Sequence, residues 1–348
     1  MSYRPPLILR ADAGGSLGSG HVMRCLALGE AWVDGGGSAV IVSADIPEAL
    51  AARVRETPEF SAEAIDAPAW GAADAAATIA LARKGLARAV VADSYKVTEA
   101  WLAAIEAAGL RAVAIDDLGR LSAYPCSIIV NPNLNGEEAL YAGKADGAHQ
   151  LLGTRHVMLR REFAIHRASP RPIYTQARHL LVTFGGVDPK GASLIALDAL
   201  ALTPEITAEL IVGPANPRAD EIAAKAKPLA NVTLVRDARD MAKRMMAAEM
   251  LLSAGGTTVW EAAALGAPMM LTASAPEEAA AAKRLSESGL CWFLGDVEAL
   301  AAPKLAQTIM AFADDMAARA RSSVMGRELV DGMGAERVIT AIRDATAS

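Results

Sequence analysis

Short runs of aliphatic residues alternate with longer alanine-rich stretches along almost the whole chain. In the first half the apolar runs are Leu7–Arg10, Val40–Ser43, Ala89–Asp93, Ala112–Asp116 and Ile128–Asn131. They are largely continuous, not alternating, which is the pattern of parallel strands buried on both faces. Between them, Val22–Val33, Asp74–Lys84 and Thr98–Ala108 carry helical spacing. The pattern pauses over 163–178, where His166, Ser169, Pro170, Arg171 and Pro172 follow neither period. It resumes with Leu180–Phe184, Ala208–Val212, Val232–Val235, Met250–Ser253, Met269–Thr272 and Cys291–Leu294. The expected fold class is therefore α/β: two Rossmann-like, doubly wound parallel-sheet domains, 1–162 and 179–348, facing each other across a cleft. The stretch 163–178 is read as the linker and hinge.

Several predicted strands end in polar residues: Ser43, Asp93, Asp116 and Asn131, with Asp12 just past the first. In an open parallel sheet those ends line the ligand crevice. The first is followed by a loop holding Gly14, Gly15, Ser16, Gly18 and Gly20, and then by His21 at the mouth of a helix. Glycine lets a bound group approach the backbone, and a helix N-terminus offers free N–H groups. The loop has neither the Gly-x-Gly-x-x-Gly spacing of a dinucleotide site nor a phosphate loop's Gly-Lys-Ser/Thr ending. His21 at a helix N-terminus, with Arg24 one turn along the same face, is either a base kept ready to accept a proton or a loop-filling histidine.

In the second half, VTFGGVDPKG and SAGGTTVWEAAALGAP are two strand–Gly-Gly–helix joints, at Gly185–Gly186 and Gly255–Gly256. Ser253 precedes the second joint and Thr257 follows it. Two such joints direct two helix N-termini at a diphosphate without a lysine. Glu261 in the second helix either complements the helix dipole or grips ribose hydroxyls. Tyr95, just past Asp93, is either a bond to substrate or a packed ring. Asp116 and Asp117 read as acid/base or metal-binding carboxylates, or as turn caps.

Totals narrow the choice. At 348 residues the chain is long for one core, since single cores stop growing near ~250–300 residues. A net charge of −6 and 4% aromatic residues argue against a nucleic-acid partner, which needs excess Lys and Arg or stacking rings. No run approaches the ~20 apolar residues of a membrane span, so no membrane partner is expected. Cys25, Cys126 and Cys291 are odd in number and far apart, as in a reducing cytoplasm. The start shows no charged-then-apolar leader, and the expected location is cytoplasmic. His149, His156, His166 and His179 share no ligand spacing, so neither a metal nor another cofactor is assigned.

RADAGGSLGSGHVMRCLALGEAW (Arg10–Trp32) resembles the opening signature of the UDP-sugar hydrolases of bacterial pseudaminic acid biosynthesis. The resemblance continues through VVADSY, AIDD, NPN, LLGTRHVMLRREF, TFGGVD and SAGGTTVWEAAALGAP. It implies a GT-B-like fold and release of UDP from a UDP-linked diacetamido-trideoxyhexose. It also implies that His21 is the base, with Gly15, Ser16, Gly18, Gly20, Arg24, Tyr95 and Asp116 about the sugar. Gly185, Gly186, Ser253, Gly255, Gly256, Thr257 and Glu261 are implied for UDP. Where that family carries Asn-Gln after a late strand, this chain has Ala273-Ser274-Ala275-Pro276-Glu277-Glu278, which leaves the sugar open. Two other readings share the fold: a UDP-sugar glycosyltransferase and a non-catalytic nucleotide-sugar binder. UDP release without an acceptor separates hydrolase from both.

Overall fold

The structure, a computed structural model, describes residues 5–14 and 18–347. The chain forms two compact units, Met1–Arg161 with Gly332–Ser348, and Glu162–Asp331. In the first unit the strands are β1 (Leu7–Ala11), β2 (Ala39–Ser43), β3 (Phe60–Ala64), β4 (Ala89–Asp93), β5 (Arg111–Ile115), β6 (Ile128–Asn131) and β7 (His149–Leu152). They pair in parallel in the order β3-β2-β1-β4-β5-β6-β7. Helices α1 (Gly20–Asp34), α2 (Glu48–Arg55), α3 (Ala72–Lys84), α4 (Glu99–Ala107) and α5 (Glu138–Tyr141) follow in chain order, and α6 (Arg161–Arg167) opens the second unit. β1 and β4 are buried along their whole length, which is why both read as unbroken apolar runs.

The second unit repeats the plan. Its strands are β8 (His179–Thr183), β9 (Thr207–Val212), β10 (Val232–Arg236), β11 (Met250–Ala254), β12 (Met269–Ala273) and β13 (Cys291–Asp296), all parallel in the order β10-β9-β8-β11-β12-β13. Its further helices are α7 (Ala192–Ala201), α8 (Ala219–Ala226), α9 (Met241–Ala247), α10 (Thr257–Ala264), α11 (Pro276–Glu287), α12 (Ala302–Asp314) and α13 (Met316–Leu329). The last helix, α14 (Gly334–Ala347), returns to the first unit. There Val338, Ile339 and Ile342 join the core formed by Val22, Leu26 and Leu9. Sequence order placed this helix with the second domain, but its apolar face belongs to the first.

Both sheets thus have Rossmann order, reversing direction between the first and fourth strands of each unit. Ligands in such sheets sit at the carboxyl ends of those two strands. In the first unit that point lies between β1 and β4, and in the second between β8 and β11.

The segment 163–178 is fastened to the second unit and is not a free connector. It opens within α6, and Arg171 donates to the carbonyls of Leu265 (3.0 Å), Ala248 (2.6 Å) and Met245. Arg319, almost wholly buried, donates to the carbonyls of Tyr174 (2.9 Å) and Thr175 (3.0 Å). Arg167 and Arg327 each donate to the other's carbonyl at 2.8 Å. Two of these four cations, Arg319 and Arg327, thereby occupy carbonyls of the very stretch that reads as a hinge.

Beneath the first unit's crevice lies a buried ionic network. Arg10, in β1 and inaccessible to solvent, donates to Asp12 (2.5 Å) and to Asp74 (2.5 Å), and stacks 4.5 Å from the Trp70 ring centre. Trp101 Nε1 and the Trp70 amide donate to Asp74, while Trp70 Nε1 and the Ala44 amide donate to Asp12. Such a network stabilises only when every member is satisfied, and these partners satisfy the two carboxylates repeatedly.

Candidate active site

α1 starts at Gly20, so His21 stands at its N-terminus on the strand-end side of β1. Among the preceding glycines, Gly14 leaves room where a Cβ would meet the Asp45 carboxylate. A Cβ at Gly18 would meet nothing within 4 Å. Gly15 and Ser16 lie outside the described residues.

The His21 side chain is mostly buried, and its Nδ1 lies 2.7 Å from Asp93 Oδ1. Asp93 ends β4 and is inaccessible to solvent. Arg24, one turn after His21, donates to both Asp93 oxygens, Nη2 to Oδ1 at 2.6 Å and Nε to Oδ2 at 2.9 Å. Its remaining nitrogen, Nη1, donates to Asp117 at 2.7 and 3.0 Å. Asn133 Nδ2 donates to the same Asp117 at 2.7 Å. Burial alone would release the Arg24 proton more easily, but Asp117 and Asp93 hold it well above its ordinary value. Burial also pushes the Asp117 carboxyl up, but the Arg24 charge and its hydrogen bonds outweigh this and hold it below the usual range.

Tyr95 completes the group. Its ring stands edge-on to His21, centres 4.8 Å apart. Burial, then the Asp117 charge, push the Tyr95 hydroxyl well above its ordinary value, so it stays protonated. One side of Tyr95 remains open, at 54% exposure, with the Arg120 guanidinium 5.6 Å from its ring centre.

His21, Arg24 and Tyr95 therefore come together in the structure. Asp116 does not join them. Its carboxylate accepts from Tyr141 (2.8 Å), Tyr124 (2.9 Å) and the Gly119 amide (2.7 Å), tying down the loop after β5. The next residue, Asp117, takes the place by Arg24, because successive side chains leaving a strand point to opposite sides. Asp93, placed at the crevice by the strand-end rule, Asp117, read with Asp116 as a carboxylate pair or turn cap, and Asn133 are the partners that join them. All three stand at the ends of neighbouring strands, which was the available signal.

In the second unit the switch point is built from bare backbone. Gly185, after β8, has φ +77°, and Gly256, after β11, has φ +105°, conformations that favour glycine. Gly213, after β9, brings the loops together: a Cβ there would lie 2.5 Å from the Gly186 backbone. Ser253 is buried in β11, Thr257 opens α10, and Glu261 lies one turn further along that helix. The two helix N-termini are not equivalent. Asp188 accepts from the Ala192 amide (2.8 Å) and the Ser193 amide (2.9 Å), so the first turn of α7 already holds a carboxylate. α10 carries no side-chain cap. Gly255 packs under Glu278, whose Oε2 accepts from the Ser274 amide at 2.8 Å.

Among the described residues no group of three His, Cys, Asp or Glu side chains is placed to hold a metal ion, and no helix is long and apolar enough to cross a membrane. No protein-family model matches the chain. The spore coat polysaccharide biosynthesis protein SpsG of Bacillus subtilis (strain 168) is 27% identical over 170 residues, 48% of this chain and 50% of SpsG. The match thus spans about half the length of that curated relative. Three solved structures are similar over nearly the whole chain. MurG of Acinetobacter baumannii has 15% identity and a TM-score of 0.65, covering 97% of this chain and 99% of that one. HepE of Anabaena, solved with UDP and glucose, has 16% identity and a TM-score of 0.60, covering 97% and 98%. UGT2 of Phytolacca americana, solved with UDP-2-fluoroglucose and pterostilbene, has 11% identity and a TM-score of 0.69, covering 99% and 100%. At these identities the likeness establishes the fold: two parallel-sheet α/β units of the GT-B type.

Proposed function

We propose that the chain is an enzyme acting on a UDP-linked sugar, and that it releases UDP by hydrolysis at the anomeric carbon. The observation that carries this reading is the His21–Asp93 pair at the β1/β4 switch point, a base held by a buried carboxylate. His21 takes a proton from water, and the resulting hydroxide attacks the anomeric carbon on the face opposite the nucleotide. The bond from that carbon to the diphosphate oxygen breaks, and its electron pair leaves with UDP, giving inversion. An alkoxide leaving group needs a second carboxyl as general acid, whereas a nucleoside diphosphate departs as a stable anion. One base and electrostatic support for the departing charge then suffice. The uncapped N-terminus of α10, with Gly255, Gly256 and Thr257, is suited to holding a diphosphate anion.

A UDP-linked diacetamido-trideoxyhexose is the proposed substrate, on the resemblance of the opening signature to the pseudaminic acid pathway hydrolases. The name of SpsG, a polysaccharide biosynthesis protein, agrees with nucleotide-sugar chemistry. The test is incubation with a panel of UDP-linked diacetamido sugars in oxygen-18 water. The expected products are UDP without label and free sugar carrying it. Label in UDP places the attack at phosphorus and overturns the reading. Transfer to an added sugar or lipid acceptor, without release in its absence, supports the alternative reading, a UDP-sugar glycosyltransferase.

A further inference from the structure

Beyond His21 itself, the geometry points to Asp93 as a positioning residue that fixes the imidazole with its proton on Nδ1 and its lone pair on Nε2. This rests on the reading of His21 as the base. Two assignments compete for Nδ1, because Asp93 Oδ1 lies 2.7 Å away and Arg24 Nη2 lies 3.2 Å away. A carboxylate only accepts and a guanidinium only donates, so one contact must be the hydrogen bond and the other a bystander. Arg24 Nη2 already donates to Asp93 Oδ1 at 2.6 Å. A lone pair on Nδ1 would face a carboxylate lone pair at 2.7 Å, with Asp93 wholly buried. The proton therefore sits on Nδ1, leaving Nε2 as the nitrogen able to take a proton.

Asp93 and Asp117 share the single guanidinium of Arg24. Arg24 fixes Asp93 through both of its oxygens, and Asn133 fixes Asp117. The edge of Tyr95 against the imidazole hinders its rotation. Four neighbouring elements thus converge on one ring nitrogen: α1 behind β1, the end of β4, and the loops after β5 and β6.

Histidine-ring proton–nitrogen correlation spectra of the full chain test this, with His21 assigned by the signal lost in His21→Gln. Neutral His21 is expected to carry its proton on Nδ1. In Asp93→Asn the amide can turn its NH2 towards Nδ1, so the proton is expected on Nε2. kcat for UDP release then falls by ~10²–10⁴-fold with KM nearly unchanged, the scale seen when a buried carboxylate sets a histidine tautomer. Asp117→Asn is expected to keep the Nδ1–H tautomer. A wild-type ring protonated on Nε2 overturns the assignment, as does an Asp93→Asn variant keeping both tautomer and turnover. If Asp93→Asn does not fold, the wild-type spectrum alone decides. If the tautomers behave as expected but wild type releases no UDP from any sugar nucleotide, Asp93 keeps its role and the hydrolase reading falls.

Discussion

The two units have the same strand order up to one extra edge strand, yet their crevices are built from opposite materials. At the ends of the first unit's central strands stand Asp12, Asp93 and Asp117, each paired with a buried arginine. At the ends of the second unit's strands stand Gly185, Gly186, Gly213, Gly255 and Gly256, with backbone against backbone. A charged, cross-braced crevice suits proton transfer at a fixed atom. A crevice rich in glycine suits close approach of an anion to peptide N–H groups. One topology thus hosts two chemistries, and what distinguishes them is side-chain content at the same topological point.

Four perturbations sharpen or break that contrast. Asp74→Ala leaves Arg10 with a buried charge that Asp12 alone must balance, and is expected to cost ~3–5 kcal/mol in urea unfolding. A cost below ~1 kcal/mol would show that the first unit's charges are not structural supports. His21→Ala is expected to lower UDP release at least ~10²-fold while calorimetric UDP affinity is retained. Equal loss of both would erase the division of labour between the units. Gly213→Ala forces a Cβ against the Gly186 backbone, an overpacking of ~1–3 kcal/mol, and is expected to weaken UDP binding by ~10-fold or more. Unchanged affinity would remove the glycine joint from the nucleotide site. The smallest effect is acid sensitivity. Burial pushes the Asp12 carboxyl up, but hydrogen bonds and charge from Arg10 outweigh this and leave it below its ordinary value. Its stabilisation is therefore complete above the unfolded value of ~4 and lost as pH falls through the lower folded one. Asp12→Asn should flatten the acid limb of a stability–pH curve, and an unchanged slope would discount the Arg10 pairing.

Strands buried on both faces were legible in the sequence almost to the residue: Ala89–Asp93 and Ile128–Asn131 coincide with β4 and β6. β3 (FSAEA) and β7 (HQLL) were not, because edge strands face solvent and need no continuous apolar run. For the crevice, the strand-end rule led to the right neighbourhood but not to the facing of each side chain. It favoured Asp116, whose oxygens serve Tyr124 and Tyr141, over Asp117 beside it. Nor does sequence order reveal that Asp93 meets His21 from 72 positions away, since that pairing exists only once β4 lies beside β1. The Asp188 carboxylate that receives the first amides of α7 was equally hidden, because it lies four residues before the helix start and not at the cap position, which is Gly191.

The return of α14 has a consequence for how the molecule is made. The first unit's core includes Val338, Ile339 and Ile342, so on the ribosome its sheet emerges early but stays unsealed along α1 until translation has passed the second unit. The internal unit, continuous in sequence, can fold while its older neighbour still waits for a missing helix, reversing the usual N-terminal-first order of maturation.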